Sequence, residues 1–308
     1  MSERKFAIVA VLATWFCTGC SADFYAHRLV NHNTSPGKIH LIALGTAEQM
    51  LRDGRIDRHR LIAMADGVQI DVWCLLGRDK AQLNPTEKSP SGGTVVILHG
   101  LLDSKASYFR LARRLAKMGY DVVLPDLRAH GASGGRYITF GAKEHRDVKA
   151  VLDALVDDGT VRGPIHVFGV SMGASIAIQY AAADPRCKSV MAVAPFKDLT
   201  SIARNFLPLM KTEKYQEVLA RAGEIADFDP ADASALRAVK KLTCRLLIVH
   251  GDSDAIVPFK HGQAIYQAAE TPKRLIRVPF IGHSTILVGR EKWFARHVDM
   301  LARGHLPK

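Results

Sequence analysis

Gly169-Val170-Ser171-Met172-Gly173 stands directly between an apolar run, Ile165 to Phe168, and an Ala-rich stretch, Gly173 to Ala183. A Gly-x-Ser-x-Gly string alone arises often by chance. After a strand and before a helix it describes a sharp turn that holds the serine in a strained backbone conformation, with no room for bulk at either flanking glycine. The helix that follows offers free amino-terminal N–H groups, which favour negative charge developing beside the serine. Such a turn needs a strand buried on both faces and a helix packed back against it, so the rest of the chain is expected to repeat that unit.

It does so by pattern. Leu61 to Ala65 and Val68 to Leu76 read as short strands joined by Asp66-Gly67, a pair that favours a tight hairpin. Thr94 to Leu98 is a continuous apolar run, as for a strand buried on both faces, and ends at His99-Gly100. Helical spacing follows at Tyr108 to Met118, a strand at Asp121 to Leu124 and a helix at Ala142 to Leu155. After the serine turn come strands at Ser189 to Val193, Arg245 to Val249 and Lys273 to Val278, with helices at Gly262 to Ala269 and Glu291 to Leu301. This alternation predicts an α/β fold around a mostly parallel sheet. The gap between Val193 and Arg245 exceeds what one crossover helix needs. Its apolar residues fall at helical spacing (Ile202, Phe206, Leu209, Tyr215, Val218, Leu219), which predicts a small helical cap, about residues 197–240, above the carboxyl ends of the strands.

The chain has 308 residues, within the range of a single α/β unit, and its 48% hydrophobic and 23% charged residues are ordinary globular usage. The net charge is +12, but the basic residues are scattered without a recognition motif or interleaved aromatics, so nucleic acid is not an expected partner. A solvated basic surface and a surface facing anionic lipid are the two readings of that charge.

Residues 1–20 have a different character. Glu3-Arg4-Lys5 precedes an apolar run of eleven residues, Phe6 to Phe16, and Cys17-Thr18-Gly19-Cys20-Ser21 closes it. A spanning helix needs roughly 20 apolar residues, so the layout is that of an export signal. The ending resembles a bacterial lipoprotein signal, in which Cys20 is lipidated and tethers the chain to a membrane; such signals usually carry Leu where this chain has Cys17. A plain secretory signal is the other reading. The expected organisation is a signal over 1–20, an extension over 21–60 and the catalytic unit over 61–308, with the protein exported and facing the periplasm or cell surface. Outside the signal only Cys74, Cys187 and Cys244 remain, too few for a disulfide framework. Cys187 and Cys244 stand beside neighbouring strands, either as a pair or as buried thiols.

A serine hydroxyl needs a base, and the base an orienting acid. Asp252 and Asp254 lie in the loop after one strand and Gly282-His283-Ser284 follows the last, so Ser171, Asp254 and His283 occur in the order that this kind of sheet uses. From about Leu61 onward the chain resembles the α/β-hydrolase superfamily, in particular its bacterial esterase, monoacylglycerol-lipase-like and serine-aminopeptidase-like branches. The resemblance rests on His99-Gly100-Leu101, Asp126-Leu127-Arg128-Ala129-His130-Gly131, the serine turn, the Gly-x-x-Asp-x-x-Val-Pro segment 251–258 and the final Gly-His. It implies an eight-stranded sheet with helices on both faces and the cap inserted after strand 6. It also implies Asp254 as the acid, Asp252 as a loop cap and Asp198 as a weaker candidate acid.

An oxyanion hole is expected from the backbone N–H groups of Leu101 and Met172. His99, His130 and His250 are expected to organise loops, and Asp126 with Arg128 to brace theirs. Leu102, Phe196 and Phe206, with Leu101 and Leu207, are candidates for an apolar substrate pocket. No zinc-like spacing, phosphate loop or dinucleotide fingerprint is present, so no metal or cofactor is expected. The implied chemistry is two-step acyl transfer to water through Ser171, of esters or related acyl bonds. Cofactor-free perhydrolysis on the same three residues is an alternative. A tethered binding protein on a silent hydrolase scaffold is another, of a different class.

Overall fold

The computed structural model describes residues 21–31, 44–77 and 92–307. The signal expected over 1–20, with Cys20, lies outside them. Helix α1 (Ala22–Val30) and the short α2 (Ala47–Arg52) precede the sheet. Its eight strands are β1 (Arg58–Ala63), β2 (Gln69–Leu75), β3 (Thr94–Leu98), β4 (Asp121–Pro125), β5 (Ile165–Val170), β6 (Cys187–Val193), β7 (Arg245–Gly251) and β8 (Lys273–Val278). They pair in the order β1-β2-β4-β3-β5-β6-β7-β8, with β1 and β2 antiparallel to their neighbours and all others parallel. The apolar runs that the sequence marks as strands buried on both faces, β3 and β5, are fully buried at the centre of the sheet. The edge strands β1 and β8 alternate between partly buried and exposed positions, as an outermost strand must.

Helices cover both faces. On one side α3 (Phe109–Ala116) and α10 (Glu291–Ala302) pack Leu111, Leu115, Phe294 and Val298 against Ile97, Phe168 and Val249. On the other, α4 (Glu144–Asp157), α5 (Met172–Ala183) and α9 (Lys260–Ala268) pack Val148, Leu152, Ile176 and Ile265 against Val96, Val167, Val190 and Leu246. α5 is apolar around its whole circumference because it is buried on all sides, hence its run of Ala and Ile.

Between β6 and β7 the chain makes α6 (Leu199–Phe206), α7 (Thr212–Ala226) and α8 (Ala235–Val239), which is the expected insertion. The helical spacing over Leu199 to Ala222 is broken between α6 and α7, where Pro208 cannot continue a helix and disfavours helical backbone at Leu207. β1 begins at Arg58, ahead of the expected Leu61. Its polar residues are held by side-chain partners instead of by apolar burial: Arg58 donates to the Thr160 hydroxyl at 2.9 Å, His59 meets Asp71 at 2.7 Å and Arg60 donates to Asp158 at 3.1 Å. α1 lies on α7 and buries Tyr25, Leu29 and Val30 in the same apolar cluster as the sheet. Arg221 of α7 donates to Asp23 at 2.7 Å, and the Val30 carbonyl accepts from Ile138 N–H at 2.9 Å.

Candidate active site

β5 runs straight into α5 with Ser171 at the junction, at φ 54° and ψ −117°, a left-handed conformation that costs a non-glycine residue about 1–3 kcal/mol. The strain persists because the strand and the helix fix the chain on both sides. A Cβ on Gly169 would come within 2.3 Å of the Gly173 carbonyl oxygen, and one on Gly173 within 2.3 Å of the Leu98 carbonyl oxygen, so neither position admits a side chain. That is the physical content of the Gly-x-Ser-x-Gly pattern here.

Ser171, Asp254 and His283 come from loops at the carboxyl ends of β5, β7 and β8, and the structure brings all three together. The Ser171 hydroxyl lies 2.9 Å from Nε2 of His283, and Nδ1 of His283 lies 2.6 Å from Oδ2 of Asp254. Nδ1–H donating to the carboxylate leaves Nε2 as the acceptor for the serine proton. Asp254 is buried, and its other oxygen accepts from Ile256 N–H at 3.0 Å and Val257 N–H at 2.8 Å. Its carboxylate is thereby fixed and satisfied on both oxygens. Ser171 and His283 are partly exposed, which leaves their reacting atoms open to a substrate.

The two expected oxyanion donors belong to segments that adjoin this serine. Met172 is the first residue of α5, where an N–H has no partner within its own helix. Gly100 lies against Ser171, since a Cβ there would meet the Ser171 Cβ at 3.4 Å, and Leu101 follows it directly. Leu102, next in the chain, takes a positive φ of 59°. Phe196 is buried in the core, edge-on to Phe140, while Phe206 and Leu101 are partly buried against the same cluster.

The other sequence candidates hold loops. His99 donates from Nδ1 to the Gly100 carbonyl at 2.8 Å and accepts Leu127 N–H at Nε2 at 2.9 Å, tying the loop after β3 to the loop after β4. His130 meets the Arg128 carbonyl at 2.9 Å, and His250 donates to the Val257 carbonyl at 2.8 Å, bracing the segment that carries Asp254. Burial holds His250 below its ordinary pKa and therefore neutral. Asp252 accepts from Phe280 N–H at 2.7 Å and caps its loop, and Asp198 caps α6 by accepting Ser201 N–H at 2.6 Å.

Asp126 and Arg128 do not pair with each other. Arg128 forks onto Asp147 of α4 at 2.6 and 2.7 Å and reaches Asp66 at 2.9 Å. Asp126 is buried against the ammonium of Lys105, which also lies 2.7 Å from Asp71 and 4.8 Å from the centre of the Trp73 ring. Lys105 and Asp147 escape a reading of the sequence because each looks like an ordinary surface charge in its own segment; only the packing of β2, β4 and α4 gives them partners.

A mostly parallel eight-stranded sheet with helices on both faces and the serine on the turn after its fifth strand is the α/β-hydrolase fold. Residues 89–224 match a family model described as serine aminopeptidase, S33. An esterase of Pyrococcus furiosus is similar in structure, with a TM-score of 0.61 over 82% of this chain and 95% of that one, at 25% identity. An uncharacterized protein of Mycobacterium tuberculosis is 25% identical over 228 residues, 74% of this chain and 72% of its own. A lysophosphatidylserine lipase of Gallus gallus is 26% identical over 261 residues, 76% of this chain and 65% of its own.

Proposed function

We propose that the protein is a serine hydrolase of carboxylic esters, working through an acyl-enzyme. The carrying observation is the unbroken chain of contacts from the strained Ser171 through His283 to the buried Asp254. Ser171 attacks the acyl carbonyl while His283 takes its proton at Nε2. Asp254 keeps Nδ1 protonated and stabilises the imidazolium. The Met172 and Leu101 N–H groups receive the oxyanion, each worth about 3 kcal/mol of barrier in comparable sites. His283 then returns the proton to the leaving alcohol, and water, activated the same way, releases the acid.

The likeness to an esterase and a lipase supports ester over peptide substrates. Two large apolar side chains also suit an apolar acyl group. Leu209, in the insertion, is 86% exposed, and Phe280, three residues before His283, is 92% exposed. Phe280 lies in the turn that follows β8, and Leu209 in the turn between α6 and α7 of the insertion. Cys20 as a lipidated anchor, and export with it, belong to the same proposal.

The test is hydrolysis of p-nitrophenyl esters of increasing chain length by the chain without residues 1–20 and by its Ser171→Ala variant. We expect turnover that falls by at least about a thousandfold in the variant. Equal turnover by both proteins would remove Ser171 from the reaction. No turnover by either would favour the silent scaffold.

A further inference from the structure

Cys187 opens β6 and Cys244 stands one residue before β7, on neighbouring parallel strands where Ser189 lies opposite Arg245. Simple alternation would point Cys187 to the face shared by Met191 and Val193, away from Cys244. It does not, because β6 carries one extra residue: Ile165 of β5 pairs with Cys187, but the next residue, His166, pairs with Ser189. This bulge at Lys188 turns Cys187 to the other face. There it packs in one apolar cluster with Val190, Leu246 and Cys244. Both thiols are buried and near enough for each to perturb the ionisation of the other, and the Cys187 thiol donates to the Ser189 carbonyl at 3.5 Å. Cys74, on β2, shares the cluster but has no such partner chemistry: burial pushes its thiol up to about 12.

We propose that Cys187 and Cys244 are a disulfide pair, closing the stretch of chain that contains β6 and the entire α6–α8 insertion. The two sulfurs are unequal. The neighbouring Cys187 thiol, with Lys188 and Arg245 nearby, holds Cys244 below its ordinary value, while the neighbouring Cys244 and burial push Cys187 well above. Cys244, the more acidic of the two, loses its proton first and attacks an oxidant of the disulfide class, forming a mixed disulfide and expelling one thiol. Cys187 then loses its proton and attacks the Cys244 sulfur, expelling the second thiol. In sum the pair gives up two electrons and two protons, and the oxidant's disulfide becomes two thiols. The inference is independent of the reaction assigned to Ser171.

The experiment is to incubate the purified, folded full chain with oxidised glutathione, block free thiols with iodoacetamide, and map tryptic peptides without reduction. The fragments Cys187–Lys188 and Leu242–Arg245 should appear as one linked species, absent after reduction and absent from a Cys187→Ser variant. The linked protein should melt about 5 °C or more above the reduced one, as expected for a cross-link spanning so long a segment. Recovery of both cysteines alkylated separately, glutathione retained on either one, or linkage formed only in urea would overturn the proposal. An unchanged melting temperature in the linked form would overturn its role as a staple.

Discussion

Lys105 carries its ammonium into a site with no exposed surface, between Asp71, Asp126 and the face of Trp73. Its backbone N–H also donates to Asp126 at 2.8 Å, so the lysine fixes the turn that follows Leu101 and Leu102. Replacing it with Met removes the cation and strands buried carboxylates. Lys105→Met should cost about 3–5 kcal/mol in urea unfolding and lower kcat more than it raises KM, because it loosens the loop that carries the proposed oxyanion donor Leu101. At this scale Ser171, Asp254 and His283 were legible, since each lies in the loop or turn after a strand and their order matches the sheet. The partners of Arg128 and Asp126 were not, because Asp147 and Lys105 reach them from separate elements and no local pattern marks a buried charge.

Helix α1 is the clearest case where an element's role came from contact rather than pattern. Its sequence looks like an extension beyond the fold, yet Tyr25, Leu29 and Val30 are buried against α7, each contributing up to roughly 1.5–3 kcal/mol before ordering costs. Deleting residues 21–31 should lower the melting temperature by several degrees, read by thermal unfolding. Cys20→Ala, which leaves α1 intact, should leave that temperature unchanged and move the protein from the membrane to the soluble fraction of cells. An unmoved distribution would remove the anchor from the proposal. Elsewhere the apolar strands were readable because burial on both faces demands continuous apolar runs. β1 was read short because Arg58, His59 and Arg60 rely on Thr160, Asp71 and Asp158, which only the fold supplies.

Over the whole molecule, pH couples to stability through buried histidines. Burial holds His166 and His261 at about 4; for His261, Lys197 and Lys260 add to the effect. Unfolded, both return to about 6.5. Between those values the unfolded chain binds more protons, so stability is complete above about pH 6.5 and is lost as pH falls toward 4. Each histidine contributes up to about 3 kcal/mol of that loss. Urea midpoints measured across this window should fall with acid, and the slope should shrink in a His166→Phe variant. The alternation of elements was legible, but not the order in which strands pair, which depends on contacts distant in sequence. One arrangement also has a mechanical meaning. Because α1 rests on α7 and Asp23 accepts from Arg221, a pull applied at residue 20 reaches the insertion through this helix. Tension at that end of the chain would be felt as a tug on the insertion as well as on the apolar cluster that α1 shares with the sheet.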